Sequence, residues 1–389
     1  MTPILTQTEQ SRIGDRGTAS LFIKPAESGN HQRKARAIAF YLPQFHPIRE
    51  NNEWWGPGFS EWTNTAKARS LFRGHKQPHI PADLGFYDLR LAETRQAQAD
   101  LAQHYGVEAF CYWHYWFAGR RILERPFDEV LASGTPDHKF CLGWANQTWS
   151  GIWHGAANKI LVEQTYPGPE DDAAHFAHLL PAFRDPRYFR VNGKPLFYIF
   201  RPEQLPDAQA FAERWQNMAR EAGFGGLHLV AEISDLLGYG PKLGLPEAYG
   251  FNAGVYIRLP AQNTPSEVLT MRARRKLLRW PEAYTYARNP LPRPAPYQAK
   301  NVYPCVYPNW DNTPRSGRRG LVLKNTNPAA FRPHVKAAVD ALQDNAPDER
   351  LLFIKSWNEW AEGNYLEPDL EHGHGFLEVL ESELRAPSL

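Results

Sequence analysis

A (β/α)8 barrel is the fold class this sequence predicts, and three observations predict it. Eight short, near-continuous apolar runs recur along the 389 residues, as parallel strands buried on both faces do. Longer segments with apolar residues at helical spacing lie between them. The first run is followed by "PQFHPIRENNEWWGPGFSEWTN", not by the glycine-rich turn that opens a doubly wound nucleotide-binding sheet.

The elements follow in order. Residues 1–34 are polar and read as a disordered leader, leaving 35–389 as one domain. "RAIAFYL" (36–42) is the first strand, and 43–88 reads as an insertion on a barrel face. A helix over 89–106 places Leu91, Thr94, Ala97, Leu101 and Tyr105 on one side and ends at Gly106, a fitting C-cap. "VEAFCYW" (107–113) and "KFCLGWA" (139–145) are the second and third strands. The helix at 169–185 carries Glu170, Asp171 and Asp172 in its first turn, where the helix dipole favours negative charge. "PLFYIFR" (195–201), a helix at 207–223, "LHLVAEI" (227–233) and "FNAGVYI" (251–257) come next. A second insertion, 259–300, precedes "VYPCVYP" (302–308), a helix at 327–345 and the eighth strand, "RLLFIKSW" (350–357).

Composition narrows the function. Net charge is +2, so the overall balance points to neither nucleic acid nor an acidic membrane surface. Basic clusters at 272–276 ("RARRK") and 315–319 ("RSGRR") read as solvated faces. No apolar h-region opens the chain and no 18-residue apolar run could span a membrane, so a cytoplasmic protein is expected. Cys111, Cys141 and Cys305 are odd in number, lack zinc-site spacing, and sit in apolar runs as buried free thiols do. "EHGHG" (371–375) reads as a solvated loop, since its two histidines lack a third convergent ligand. The remaining oddity is aromatic: 13 Trp, 17 Tyr and 21 Phe, which makes their positions informative.

Catalytic groups in such barrels come from the C-terminal strand ends. Just past the first strand stand Gln44 and His46, then Trp54, Trp55, Glu61 and Trp62; past the second, Trp113, His114, Tyr115 and Trp116. The third presents Trp144, Asn146, Gln147 and Trp149, the fourth Arg201, the fifth Glu232. Trp310 and Asp311 follow the seventh, and the eighth delivers Trp357, Asn358, Glu359, Trp360 and Glu362. Rings that pack on sugar faces, mixed with amides and carboxylates that bind hydroxyls, suggest a saccharide site. Filling of the barrel and its loops is the plainer use of any single aromatic. Glu359 and Glu362, three apart in "SWNEWAEG", would share one side of a helical turn. That suits two carboxylates serving one anomeric centre with retention, one as nucleophile and one as acid/base.

"AFYLPQFHPIRENNEWWGPGFSEWTN", "FCYWHYWF", "CLGWANQTW" and "SWNEWAEGNYLEPD" together resemble the WbsX family of bacterial polysaccharide-locus proteins. That family is related to glycoside hydrolase family 99, the endo-α-mannosidases. The resemblance runs from about residue 35 to 382 and implies a (β/α)8 barrel needing no metal or cofactor. Carried over from the family-99 "NEWHEG"-like segment, Glu359 would be the base that deprotonates the sugar 2-hydroxyl. That oxygen then attacks the anomeric carbon to give a 1,2-anhydro sugar, and Glu362 would be the general acid, then base. Three departures stand out: Gln147 in "WANQTW" where relatives carry a carboxylate, "SGIW" in place of "RRW", and Ala361 in place of His. With Ala361 at that position, strict mannose specificity is not inherited from family 99 on the resemblance alone.

Three readings remain open from sequence. One is a retaining glycosidase or transglycosylase acting on an α-linked, mannose-like polysaccharide. Another is a glycosyltransferase of O-antigen or capsule synthesis, although no phosphate loop and no D-x-D pair is visible. The third is a non-catalytic glycan-binding barrel, which Gln147 mildly favours. An oligo- or polysaccharide is the expected partner in each, with no nucleic acid and no membrane span.

Overall fold

A computed structural model describes residues 33–151, 156–237 and 244–386. All eight expected strands form: β1 Arg36–Tyr41, β2 Val107–His114, β3 Lys139–Trp144, β4 Lys194–Ile199, β5 His228–Ser234, β6 Ala253–Ile257, β7 Val302–Val306 and β8 Leu351–Ile354. They pair in parallel around a ring, β1 between β2 and β8, and the β3–β4 ladder (Leu142 opposite Phe197) closes it. The chain is a (β/α)8 barrel. The first 32 residues of the expected leader lie outside the described residues; Arg33, near its end, bridges to Arg385.

Ten helices are named here in chain order. Short α1 (Arg49–Trp55) and α2 (Glu61–Lys67) occupy the first insertion, and α3 (Ala92–His104) and α4 (Arg125–Ser133) flank β2. α5 (Pro169–Arg184) and α6 (Ala208–Glu221) flank β4, and α7 (Pro265–Leu278) belongs to the second insertion. α8 (Thr313–Ser316) follows β7, α9 (Pro328–Asp340) leads to β8, and α10 (Gly375–Leu384) comes last. The caps explain several starts: Asp207 accepts from the Ala210 N–H and Asn327 from that of Ala330. Thr264 and Glu267 form a reciprocal capping box at α7. The second insertion also holds strands unforeseen from sequence. Glu282–Tyr286 pairs antiparallel with Ala261–Gln262 and parallel with Leu321–Lys324.

The barrel interior is aromatic. Phe40 stacks on Trp113 at 5.0 Å and 9°, meets Tyr198 edge-on at 4.9 Å, and touches Phe353 at 5.7 Å. These inward rings from β1, β2, β4 and β8 plug the barrel, and Gly143 on β3 makes room for them. A Cβ there would stand 3.4 Å from the Trp113 ring. At the N-terminal end Arg36 is paired with Glu108 at 2.9 Å, which closes the base and leaves the other face for the site.

Candidate active site

A cavity of about 310 Å³ opens at the C-terminal end of the barrel. Glu359 and Glu362 both line it. The chain leaves β8, and Asn358–Glu359 pairs antiparallel with Asn364–Tyr365. Between them Trp360–Glu362 makes one 3₁₀ turn, for which Glu359 is the N-cap. Residues three apart eclipse in a 3₁₀ turn, so both carboxylates face the cavity side.

Gly363 ends the turn at φ 53°. An added Cβ would lie 2.7 Å from the Asp311 nitrogen and 2.9 Å from its carbonyl oxygen. The same Asp311 N–H donates to the Glu362 carbonyl at 2.8 Å. Gly363→Ala therefore meets both an unfavourable backbone region and a backbone clash, and is expected to cost about 2–4 kcal/mol. Urea titration checks this; an unchanged midpoint would contradict the packing described.

The two carboxylates live in different fields. Glu359 is buried and accepts from the Trp113 indole N–H at 3.0 Å. Burial, reinforced by the neighbouring Glu362 carboxylate, pushes its pKa up to about 8 despite Lys355 and Arg315. Glu362 instead accepts from Arg315 Nη1 at 2.6 Å. The same guanidinium donates to Glu61 at 3.1 Å, so α2, α8 and the Trp360–Glu362 turn are tied by one buried cation. Burial depresses the Arg315 pKa, but Glu61, Glu362 and Glu359 outweigh it and hold the guanidinium charged. Burial also raises the Glu61 pKa, and Arg315 offsets part of that. Deeper in, Lys355 Nζ sits 3.5 Å from Glu232 and over the Phe40, Trp113 and Phe200 rings at 5.1, 5.2 and 5.3 Å. Tyr198 donates to the same Glu232 oxygen at 2.6 Å.

The raised Glu359 pKa has a stability consequence. The folded protein keeps this proton up to about pH 8, whereas an unfolded glutamate loses it near pH 4.3. Folded molecules thus bind more protons than unfolded ones across that window, and stability falls as pH rises through it. Glu359→Gln should remove this slope and stabilise the protein at pH 8 by about 2–5 kcal/mol. Melting curves for both proteins between pH 5 and 8.5 would check it; parallel curves would refute the burial effect.

Of the residues nominated from sequence, the cavity is lined by Gln44, Trp55, Glu61, Trp113, Tyr115, Gln147, Trp149, Arg201, Glu232 and Trp310, besides the two glutamates. The others do not line it. His114 bonds His175 at 2.8 Å, and Trp116 stacks on the same ring at 4.6 Å and donates to Asp171, both on α5. Trp144 donates to the Trp116 carbonyl and packs on Phe211 of α6. Trp62 donates to the Tyr87 carbonyl, and Trp54 packs behind Trp149 at 6.0 Å. His46 is buried beside Asp88 and Arg90, its pKa pushed down to about 4 by burial. Asp311 is held by His75 and Gln77, each at 2.7 Å.

Two of these have structural work. Asn146 accepts from the Arg201 N–H and donates to its carbonyl, at 2.7 and 2.8 Å, joining the ends of β3 and β4. Asn358 clamps Leu42 in the same way at 2.7 and 3.1 Å, joining β8 to β1 beside Glu359. The flanking indoles also turn away. Trp357 packs on Phe110 at 5.0 Å. Trp360 stacks on Tyr365 at 3.8 Å and donates to buried Glu367 at 2.6 Å.

Arg315, Lys355, Tyr307 and Phe200 line the cavity without having been singled out in the sequence. Arg315 belongs to the "RSGRR" run taken as a solvated face, yet its side chain is 14% exposed. Cys111 and Cys141 are buried free thiols, whereas Cys305 is half-buried. In the "EHGHG" loop His374 lies 2.7 Å from Asp83 and 2.8 Å from the Tyr105 hydroxyl. Among the described residues no group of three His, Cys, Asp or Glu is arranged to hold a metal ion, and no helix is long and apolar enough to cross a membrane.

A family model described as "Glycosyltransferase WbsX" matches residues 37–380. Two curated relatives from strains of Xanthomonas campestris pv. campestris, each named "Uncharacterized protein WxcX", are 40% identical over 366 residues. That is 91% of this chain and 50% of each relative, so the chain spans about half the length of the curated relatives it matches. A solved "Glycoside hydrolase-like protein" is 16% identical at a TM-score of 0.58, covering 94% of this chain and 97% of its own. The GH99 endo-alpha-mannosidase from Bacteroides thetaiotaomicron, in complex with bis-tris-propane, is 15% identical at a TM-score of 0.55, covering 90% and 96%. At such identities the likeness is one of fold.

Proposed function

The chain belongs to the WbsX family, and from that premise we propose that it is a retaining glycosidase or transglycosylase acting on α-linked, mannose-like sugars of a bacterial polysaccharide. The observation that carries this reading is the carboxylate pair on one 3₁₀ turn at the end of β8, both members lining one cavity. Rings of Trp55, Trp149 and Trp310 on the walls offer faces to pyranose rings.

In this reading Glu359 takes the proton of the 2-hydroxyl. O2 bonds to the anomeric carbon as the glycosidic C–O bond breaks, and Glu362 protonates the departing oxygen. Water or an acceptor hydroxyl then adds at the anomeric carbon, giving its proton to Glu362, while the C1–O2 bond opens and O2 regains a proton from Glu359. Two inversions leave retention. A second reading comes from the resting electrostatics. Burial keeps the proton on Glu359 and Arg315 Nη1 donates to Glu362 at 2.6 Å, which matches Glu359 as acid and Glu362 as nucleophile.

Incubation with α-linked oligosaccharides, with and without nucleotide sugars, followed by mass spectrometry of the products, tests the proposal. Cleavage or transfer without a nucleotide sugar is expected. Turnover that requires one would establish the glycosyltransferase reading instead. A substrate lacking the 2-hydroxyl separates the two role assignments: it should be inert if O2 is the attacking atom and cleaved if Glu362 is.

A further inference from the structure

We infer that helix α7 is a docking element for an anionic phospholipid surface. No residue of this 14-residue helix is buried, which is unusual for a helix of a folded domain. Leu269 and Leu277 are 70% and 78% exposed. At 100° per residue Leu269, Ala273 and Leu277, spaced i, i+4 and i+8, follow one slanting line within a sector of about 80°. Arg272 and Lys276 border that line on one side, and Thr270 and Arg274 on the other.

The surroundings are basic as well. Arg279 caps the helix in the left-handed region, and exposed Arg318 donates to the Leu278 carbonyl at 2.8 Å, next to exposed Arg319. Arg275 is paired with Glu282. Among the described residues, Arg272, Lys276, Arg279, Arg318 and Arg319 have no carboxylate within ion-pair distance. The one acidic residue on the helix, Glu267, is occupied in the capping box.

An apolar stripe bordered by Arg and Lys fits a surface that is greasy beneath and negative above, the interface of an anionic bilayer. A second copy of this chain would bring like charges together. A polyanion such as DNA would satisfy the arginines and leave both leucines in water. The chain's net charge of +2 conceals this patch because it is local.

The placement gives the surface a use. α7 runs into the Glu282–Tyr286 strand, which pairs with Leu321–Lys324. There the Leu321 N–H donates to Asn312 Oδ1 at 2.7 Å and the Leu323 N–H to the Trp310 carbonyl at 2.8 Å. Trp310 and Asn312 line the cavity, so docking by α7 would hold the cavity mouth near the membrane. The inference stands whether or not the proposed chemistry is correct.

The test is flotation of the chain with vesicles of phosphatidylglycerol and phosphatidylcholine, against phosphatidylcholine alone. Binding at least about tenfold stronger to the anionic vesicles is expected, falling as salt is raised from about 0.1 to about 1 M. L269S/L277S and R272Q/K276Q/R279Q should each weaken it about tenfold or more. In the unaltered chain, amide exchange across 265–278 should slow when vesicles are added, a readout that depends on no variant folding. Equal binding to both vesicle types would overturn the inference, as would full binding by L269S/L277S or unchanged exchange. Equally tight, leucine-independent binding to duplex DNA would make the patch a polyanion site instead.

Discussion

Glu359→Gln and Glu362→Gln should each lower kcat by about 10²–10⁴-fold, the range for a positioned acid/base group. Both variants keep the volume of the side chain. Glu359→Gln can still accept from the Trp113 indole, and Glu362→Gln can present its amide oxygen to Arg315. Loss of activity would therefore report lost proton transfer, not lost shape. Steady-state rates at saturating oligosaccharide measure it, and near-full activity in both variants would remove the pair from the chemistry. The pH dependence of kcat/KM then assigns the roles. With Glu359 as base, kcat/KM rises as pH rises through about 8, where burial has set its pKa. With Glu359 as acid, it falls over the same interval.

Arg315→Met carries the largest expected loss of stability. The guanidinium serves Glu61, whose side chain is 2% exposed, and Glu362, at 12%. Its removal strands two carboxylates away from water, at a cost of about 3–5 kcal/mol. For a chain of 389 residues that is a fall of about 4–6 °C in the melting temperature. The loss should grow as pH rises, because ionised carboxylates are the ones that need the cation. Adding Glu61→Gln should recover about half of it. Differential scanning calorimetry of the single and double variants tests this, and an unchanged melting temperature in Arg315→Met would show the bridge to be worth little.

The barrel was legible because its strands are buried on both faces and read as unbroken apolar runs. The helices of the first insertion and the small sheet around Glu282–Tyr286 were not, since neither presents such a run. The site was half legible for a related reason. Position after a strand end was visible, but side-chain direction was not, and direction alternates with every residue. Trp113 and Tyr115 line the cavity, while His114 and Trp116 face α5. Trp310 and Asn312 line it, whereas Asp311 turns to His75. Counting parity along β2 would have made the first division in advance; past β7 it would not, because the strand ends at Val306, and Tyr307 and Trp310, three apart, both line the cavity. Arg315 had no comparable signal: inside "RSGRR" it looks like its exposed neighbours Arg318 and Arg319, and only the packing of α2 against α8 makes it a buried counter-ion.

The proposed retaining cleavage of an α-linkage is tested most directly by the configuration of the first product. Proton NMR of an α-linked oligosaccharide digest, recorded from the first minutes and without nucleotide sugar, reads that configuration before mutarotation blurs it. The account predicts the α-anomer first, with the β-anomer growing in later at the rate of mutarotation. The β-anomer appearing first, or no turnover until a nucleotide sugar is added, would contradict it.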